Sequence, residues 1–511
     1  MKNATKLFRL AVAAATVFAV CACQYPSSPQ GGNGNRFVPV ENVEVNADSL
    51  LLHVGQGRSL TATVYPPNAT TPDVWWTSGD PSVASVNSVT GNVTANSTGT
   101  ATITVTTKDG GRTASSTVRV MTPTLPSLRL SIAPWPYELD RNIWRSSTVS
   151  LDGTGPYEDF AFGNVTVQAR GRGNSSWHAM GYKRPLRIRF FAGEARSMFG
   201  SGFAARDWPL LANAIDHSMM RNYSAYLLGR LLSGMDFAPT GHFLHLYMGG
   251  DYRGVYMLSD QMQVHPGRIE LTHNSVPERS EFFFEMCRRA HGDNEHDFAV
   301  QNVPFVIEFP DGANLTQGHR QFLESFIANM DAALAGGNFD AISGIIDVPS
   351  FVDFYLVQEL FKNQDVDWSS LNFQIRQTEA GPRMFAGPLW DFDLSSGSSA
   401  YPTYDRSPLG AWAATRKRYF RLLMDAEWFR ELVGARWIEI RGGEVAAMTA
   451  RVEYLARKYR ACFERNFERW PDKNVWVTPP ELRHLPFAEQ VEFLLDWLER
   501  RKVWMDGFLQ P

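Results

Sequence analysis

Two aspartates in Trp390-Asp391-Phe392-Asp393 are the first residues of this 511-residue chain with evident chemical capacity. On an extended backbone, side chains at i and i+2 share one side, so Asp391 and Asp393 would both reach one cation. Trp390 and Phe392 would then alternate to the opposite, buried side. Apolar neighbours raise the cost of two uncompensated carboxylates, and a bound Mg²⁺ accounts for them; a pair of solvated strand-end aspartates is the alternative. Upstream lies Asn363-Gln364-Asp365-Val366-Asp367-Trp368-Ser369-Ser370-Leu371-Asn372. Phosphoryl transfer needs a carboxylate that orients an attacking hydroxyl and accepts its proton, and oxygen ligands for a metal. This stretch has both, although turn chemistry also places Asp and Asn together. Lys183 follows a glycine-rich polar loop, Arg170-Gly171-Arg172-Gly173-Asn174-Ser175-Ser176-Trp177. A compact ammonium suits a diphosphate and glycine amides approach phosphate closely, but the loop is no Walker sequence, and a solvated basic loop is the plain alternative.

These residues need elements to hold them. Residues 186–191 alternate apolar and basic like a strand. Residues 219–232 are apolar at helical spacing. Residues 243–248 and 252–258 form a hairpin with Gly249-Gly250-Asp251 as its turn, and 351–360 are helical. Residues 373–376 and 384–389 read as short strands leading into the aspartate pair. Val491, Leu494, Leu495, Leu498 and Met505 stripe one face of a last helix, and Glu499-Arg500-Arg501-Lys502 on it reads as a solvated face. His291-Gly292-Asp293-Asn294-Glu295-His296 holds metal-capable side chains but lacks hydrophobic framing, so it reads as a solvated loop.

Composition narrows the class. At 44% hydrophobic and 13% aromatic the chain is not a disordered one. Its length calls for more than one domain. The net charge of -4 disfavours nucleic-acid binding by a basic surface. Lys2, Lys6 and Arg9 precede an apolar run too short to span a bilayer, which reads as a signal-peptide core over residues 1–22. Val20-Cys21-Ala22-Cys23 resembles a bacterial lipobox, so Cys23 is the expected lipidation site and residues 23–36 the flexible tether. Gln24 then points to the outer membrane or cell surface, with the lipid as the only membrane contact. Signal removal takes Lys2, Lys6 and Arg9 away and moves the charge from -4 to -7. Only Cys287 and Cys462 remain for the fold, expected as buried thiols.

Residues 37–121 shift to Val, Thr, Ser, Asn and Gly. Period-two alternation, as in Leu60, Ala62, Val64 and Ala101, Ile103, Val105, with frequent turn signals, predicts a small β-sandwich. The segments Val74-Trp75-Trp76-Thr77-Ser78, Asp80-Pro81-Ser82-Val83-Ala84-Ser85-Val86, Gly91-Asn92-Val93-Thr94-Ala95 and Gly99-Thr100-Ala101-Thr102-Ile103 resemble the bacterial Ig-like group 2 family. That resemblance implies a spacer, or a module that touches a surface polymer or host ligand. Residues 122–127 form the linker to a large domain, 128–511.

The large domain resembles the CotH kinase-like family over about residues 128–470. The carriers, in order, are the 170–177 loop, Lys183-Arg184-Pro185, Trp208-Pro209-Leu210-Leu211-Ala212-Asn213, Met220-Arg221-Asn222, the hairpin ending Ser259-Asp260, the 363–372 stretch and Gly387-Pro388-Leu389-Trp390-Asp391-Phe392-Asp393. Trp437 and residues 466–470 also fit. The expected architecture is therefore multidomain: an all-β Ig-like sandwich, then an α+β atypical protein-kinase-like domain with a helical C-terminal part. The resemblance implies ATP, Mg²⁺ (or Mn²⁺) and phosphorylation of protein Ser or Thr. Asp365 would be the base and Asp367 the fallback; Asp367 to Asn372 also repeats the D-x-x-x-x-N spacing of a kinase catalytic loop. Asn372 and Asp391 would ligate metal with Asp393 in support. Lys183 would take the phosphates, with Arg170, Asn174 and Ser175 shaping the loop over them. Arg221 and Asn222 would link helix to site. Asp260 stands where the family usually has Glu, one methylene short, and Glu285 is a replacement acid. Two other classes remain open: the same fold as a binding or adhesion module with weak or lost catalysis, and a sugar-processing enzyme with paired carboxylates.

Overall fold

The structure is a computed structural model that describes residues 37–510 apart from 123, 133–138, 154, 174, 179–182, 289, 291–295, 368, 417 and 472–476. The proposed signal, tether and lipidated Cys23 therefore lie outside the described residues, as does most of the 291–296 loop. The chain divides into two compact units after Thr122.

The first unit consists of β1 (Asn42–Val45), β2 (Ser49–His53), β3 (Gly57–Ser59), β4 (Ala62–Tyr65), β5 (Val74–Ser78), β6 (Ala84–Val86), β7 (Asn92–Ala95), β8 (Gly99–Thr107) and β9 (Thr113–Met121). They form sheets ordered β2-β9-β8-β5, β3-β7-β6 and β1-β4. The alternation read in the sequence is the alternation of burial: in β8, Ala101, Ile103 and Val105 point into the core while Thr100 and Thr102 face out. Trp76 closes one end over Gly91, whose φ of +71° and approach to the indole leave no room for a Cβ.

The second unit begins with β10 (Ser127–Ile132), β11 (Arg145–Asp152), β12 (Phe162–Gly171), β13 (Leu186–Phe190), β14 (Asp207–Leu211), β15 (Gly241–Met248) and β16 (Asp251–Ser259). These close into a barrel in the order β10-β11-β12-β13-β14-β16-β15. The closing pair is parallel, Ser127 opposite His245 through Leu130 opposite Met248, and Val167, Ala169, Ile188, Phe190, Leu244 and Leu246 fill the interior. Five further strands, β17 (Phe282–Met286), β18 (Asp297–Val300), β19 (Val303–Phe309), β20 (Leu371–Thr378) and β21 (Gly381–Ala386), make a sheet ordered β18-β19-β17-β20-β21.

Helices pack on this frame. Helix Val348–Phe361 is buried on nearly every side, including Asp353, Gln358 and Glu359, which explains why its sequence is apolar without a polar stripe. Asp347 caps it by accepting from the Ser350 amide at 2.9 Å, and Lys362 ends it with a left-handed φ of 43°. The last helix, Phe487–Phe508, buries Val491, Leu494, Leu498 and Met505, with Leu495 half-buried. The charged run on it is not a solvated face throughout. Arg501 is fully buried and bonds the Glu359 carboxylate at 2.5 Å, with further bonds to the carbonyls of Glu359, Pro408 and Gly410. Arg501 turns inward because it lies three and four residues from the buried Leu498 and Trp497, on the same helix face. Helix Arg460–Arg469 clamps the hairpin: Asn466 Oδ1 accepts from the Val255 amide at 3.0 Å, beside Gly254. Cys287 and Cys462 are buried thiols, neither in a disulfide.

Candidate active site

The second unit has a cavity of about 410 Å³ walled by Arg172, Gly173, Ser176, Ile215, Glu285, Gln364, Asp365, Ser369, Ser370, Trp390, Asp391, Asp393, Leu394 and Tyr401. Chain segments far apart in sequence supply this wall, and local bonding shows how each arrives.

Asp365 stands in a one-turn 3₁₀ helix, Gln364–Asp367, at the end of the buried helix. Its amide donates to Asn363 Oδ1 at 3.2 Å, and the Trp412 indole N–H donates to the Asn363 carbonyl at 2.7 Å. The Gln364 amide donates to the Leu394 carbonyl at 3.3 Å, which ties this turn to the segment carrying Asp391 and Asp393. Glu285 Oε1 accepts from the Ser370 amide at 2.7 Å and so holds the loop to β17.

The aspartate pair does not lie on a strand. β21 stops at Ala386, and Asp391 has a left-handed φ of 63°. The two carboxylates still line one cavity, because tertiary bonds replace the strand. Asn222 Oδ1 accepts from the Phe392 amide at 2.7 Å, and Arg221 donates to the Ser395 and Ser396 carbonyls at 2.9 and 3.3 Å. Arg221 is itself held by Asp216 at 2.5 Å, both fully buried. Phe392 is buried against Phe361, but Trp390 is not on a buried side opposite the aspartates. It lines the cavity and stacks on Tyr226 at 5.7 Å. Burial raises the Asp393 carboxyl well above its ordinary range, and the charges of Asp391 and Asp216 push it the same way.

Arg172 supplies the cation of the wall. Its guanidinium lies over the Trp390 ring at 5.3 Å, and its amide donates to the Pro185 carbonyl at 3.1 Å. Burial lowers its pKa and Asp391 opposes that shift. Gly171 permits the loop because a Cβ there would meet Trp177 at 2.1 Å.

Among the described residues, several expected groups stand elsewhere. Lys183 is buried behind the wall: its Nζ donates to the Ala212 carbonyl at 2.6 Å, and desolvation lowers its amine to about 7. Ala212 borders a small annex of the cavity with Asn213, Asn222 and Tyr226. Asp260 accepts from the Thr240 amide and hydroxyl at 2.9 and 2.7 Å and from Arg268 at 3.1 Å, so its charge is met by residues that flank the barrel strands. The Asn372 amide donates to the Pro388 carbonyl at 3.1 Å at the start of β20. Arg170 stacks on Trp144 at 4.6 Å, away from the wall. Asn174 and the side chains of Ser175 and Asp367 lie outside the described residues. Sequence reasoning passed over Arg172, Trp390 and Tyr401 as wall residues. Arg172 stands just past the end of β12, where strand alternation no longer says which way a side chain points.

Among the described residues, no three or more His, Cys, Asp or Glu side chains gather as a self-sufficient cation site. The donor set fits a hard cation that completes its shell with phosphate oxygens and water. Such a cation takes one or two protein carboxylates, and Asp391 and Asp393, crowded on one wall, supply two.

A sequence profile of the CotH kinase protein family matches residues 169–505, and one of the bacterial Ig-like domain (group 2) matches residues 39–118. Among curated proteins, an Ig-like virion protein of Serratia phage KSP90 is 42% identical over 76 residues, 15% of this chain and 30% of that protein. A kappa-carrageenase of Pseudoalteromonas carrageenovora is 42% identical over 96 residues, 18% of this chain and 24% of that enzyme. The chain thus spans about a quarter to a third of the length of these relatives. Among solved structures, domains 4 and 5 of the S-layer protein SbsC align at 22% identity and a TM-score of 0.14, over 16% of this chain and 53% of that one. Human protocadherin-24 EC1-2 aligns at 13% identity and a TM-score of 0.17, over 31% and 92%. Ig-like modules of this group are typical of surface or exported proteins. Among the described residues no helix is long and apolar enough to cross a membrane.

Proposed function

Because this chain belongs to the CotH kinase protein family, we propose that its large domain transfers the γ-phosphoryl group of ATP to a Ser or Thr hydroxyl of a protein. The observation that carries this reading is the convergence of Asp365, Asp391, Asp393 and Arg172 on one cavity. Asp365 orients the attacking hydroxyl and accepts its proton as the new O–P bond forms and the bond to the ADP oxygen breaks. Asp391 and Asp393 would hold Mg²⁺ or Mn²⁺, whose charge would offset that of the nucleotide phosphates. Arg172, set by Trp390, faces the charge that develops on the transferring group. Asn222 and Arg221 fix the aspartate segment against the helix, so little reorganisation is left for the reaction.

The chain acts outside the cytoplasm in this reading. Cys23 carries the lipid that anchors it to the outer membrane or cell surface, and the Ig-like unit holds the kinase domain away from the membrane or touches a surface polymer.

A second reading, a binding or adhesion protein with weak or lost catalysis, draws on two observations. Lys183 is buried on a backbone carbonyl, and Asp260 is neutralised by Arg268. A lysine–acid pair over the phosphates is thus missing among the described residues.

Calorimetric titration of the protein with ATP and Mg²⁺ separates the two. The kinase reading expects Mg²⁺-dependent binding that Asp391→Ala abolishes, and autophosphorylation that Asp365→Ala removes while Asp367→Ala retains it. Absence of nucleotide binding by the wild type sinks it and leaves the binding module.

A further inference from the structure

One charged cluster lies outside the cavity wall. β12 and β13 pair with Arg170 opposite Arg187 and Gln168 opposite Arg189. Val167, Ala169, Ile188 and Phe190 fill the barrel, so alternation places Arg170, Arg187 and Arg189 on its outer face. Arg172, just past the end of β12, lines the cavity. The Trp144 ring collects three guanidiniums, Arg170 at 4.6 Å, Arg187 at 5.8 Å and Arg189 at 4.3 Å. One carboxylate serves them: Asp207 Oδ1 accepts from Arg187 Nε at 2.9 Å and Arg189 Nε at 2.7 Å. Arg170 Nε is buried without a hydrogen-bond partner.

Three guanidiniums face two acids, the directly bonded Asp207 and the more distant Glu308, which leaves a positive excess. Like charges this close repel, and Arg170 is held below its usual range first by burial and then by Arg187 and Arg189. Glu308, on β19, is the further acid whose charge bears on Arg187, and it is exposed. Arg189 keeps 30% of its side-chain surface open, so an incoming anion can reach the row. Each two-residue step along a strand advances about 6.6 Å, so the row from Arg170 to the level of Arg189 extends about 6.6 Å, with Arg172 past its cavity end. Guanidinium forks in such a row match carboxylate or phosphate oxyanions spaced along an extended chain.

We propose that the arginine row Arg170, Arg187 and Arg189 around Trp144 docks an acidic, carboxylate-rich segment of the protein acceptor, whose hydroxyl then enters past Arg172. This rests on the kinase reading for the acceptor's fate, but docking itself needs no nucleotide.

The test uses the full chain and three labelled serine peptides, flanked by glutamates, by phosphoserines or by glutamines. Fluorescence anisotropy without nucleotide should show the glutamate peptide binding at least about tenfold tighter than the glutamine peptide, and weakening with salt. Binding of the phosphoserine peptide alone, with the glutamate peptide no tighter than the glutamine one, assigns the row to phosphate and overturns the acidic-segment proposal. Arg189→Glu should remove the preference and Arg189→Gln reduce it, with ATP affinity by calorimetry unchanged in both. Equal binding of all three peptides by wild type, or a preference that survives Arg189→Glu, overturns the proposal. So does loss of ATP affinity in Arg189→Gln, which would make the row part of the nucleotide site. A preference for the glutamate peptide in a wild type that binds no ATP supports the docking row and overturns the kinase reading instead.

Discussion

The two units of this chain treat charge in opposite ways. In the Ig-like unit the buried polar side chains among the described residues are His53, Thr107 and Ser116, and none carries a fixed charge. In the large domain Lys183, Asp216, Arg221, Asp260, Arg268, Glu359 and Arg501 are all buried. A small sandwich stabilised by apolar alternation has no need of internal charge. A domain that must hold irregular segments around a cavity uses buried ions as cross-links, since a guanidinium can satisfy several carbonyls that no regular element reaches. The contrast separates a unit held by apolar alternation from one held by buried ion pairs as well.

The largest effect should come from breaking such a cross-link. Arg221→Ala leaves Asp216 buried and unpaired, which costs about 3–5 kcal/mol. It should lower the large domain's unfolding transition in differential calorimetry and leave that of the Ig-like unit in place; an unchanged large-domain transition would contradict the cross-link argument. Next comes the apolar counterpart. Ile103→Ala, at a fully buried core position, should destabilise the Ig-like unit by about 2–5 kcal/mol. ATP affinity should stay as in wild type, and a weakened affinity would show that the small unit is more than a fold.

The smallest effect is a pH dependence. Lys183 has its folded pKa lowered to about 7 from 10.5. Between those values the unfolded chain holds the proton and the folded one does not, so stability rises with pH through that window and the penalty for burying the charge is full below it. Relative to Lys183→Met, the wild type should gain at most about 1.4 kcal/mol per pH unit above pH 7. Parallel urea midpoints for the two proteins from pH 7 to 9 would show that the amine stays charged.

The sandwich was legible because its information is local. Alternation in β8 and the turns around Gly91 state burial and direction within a few residues. The hairpin of β15 and β16 was legible for the same reason, as its turn lies between its strands. The closure of the barrel was not, since Ser127 meets His245 across more than a hundred residues and no periodicity links them. Arg501 was misread for a related reason: its neighbours Glu499 and Arg500 are exposed, and Glu359 on a distant helix, with the Pro408 and Gly410 carbonyls, draws it inward.

The site divides along the same line. Sequence by itself determined the kinds of group present: aspartates at 365, 391 and 393, a glycine-relieved basic loop, and the Arg221-Asn222 pair. Their identities are covalent facts, and their order matches one family over residues 169–505. Only the tertiary structure decided which of them share a cavity. It brought Arg172 to the wall and left Lys183 on the Ala212 carbonyl, and it set Asp391 in a left-handed turn instead of a strand. The reason is physical. A side chain's reach is a few ångströms, and which carbonyl or carboxylate lies within that reach is fixed by the packing of helices and sheets far apart in sequence.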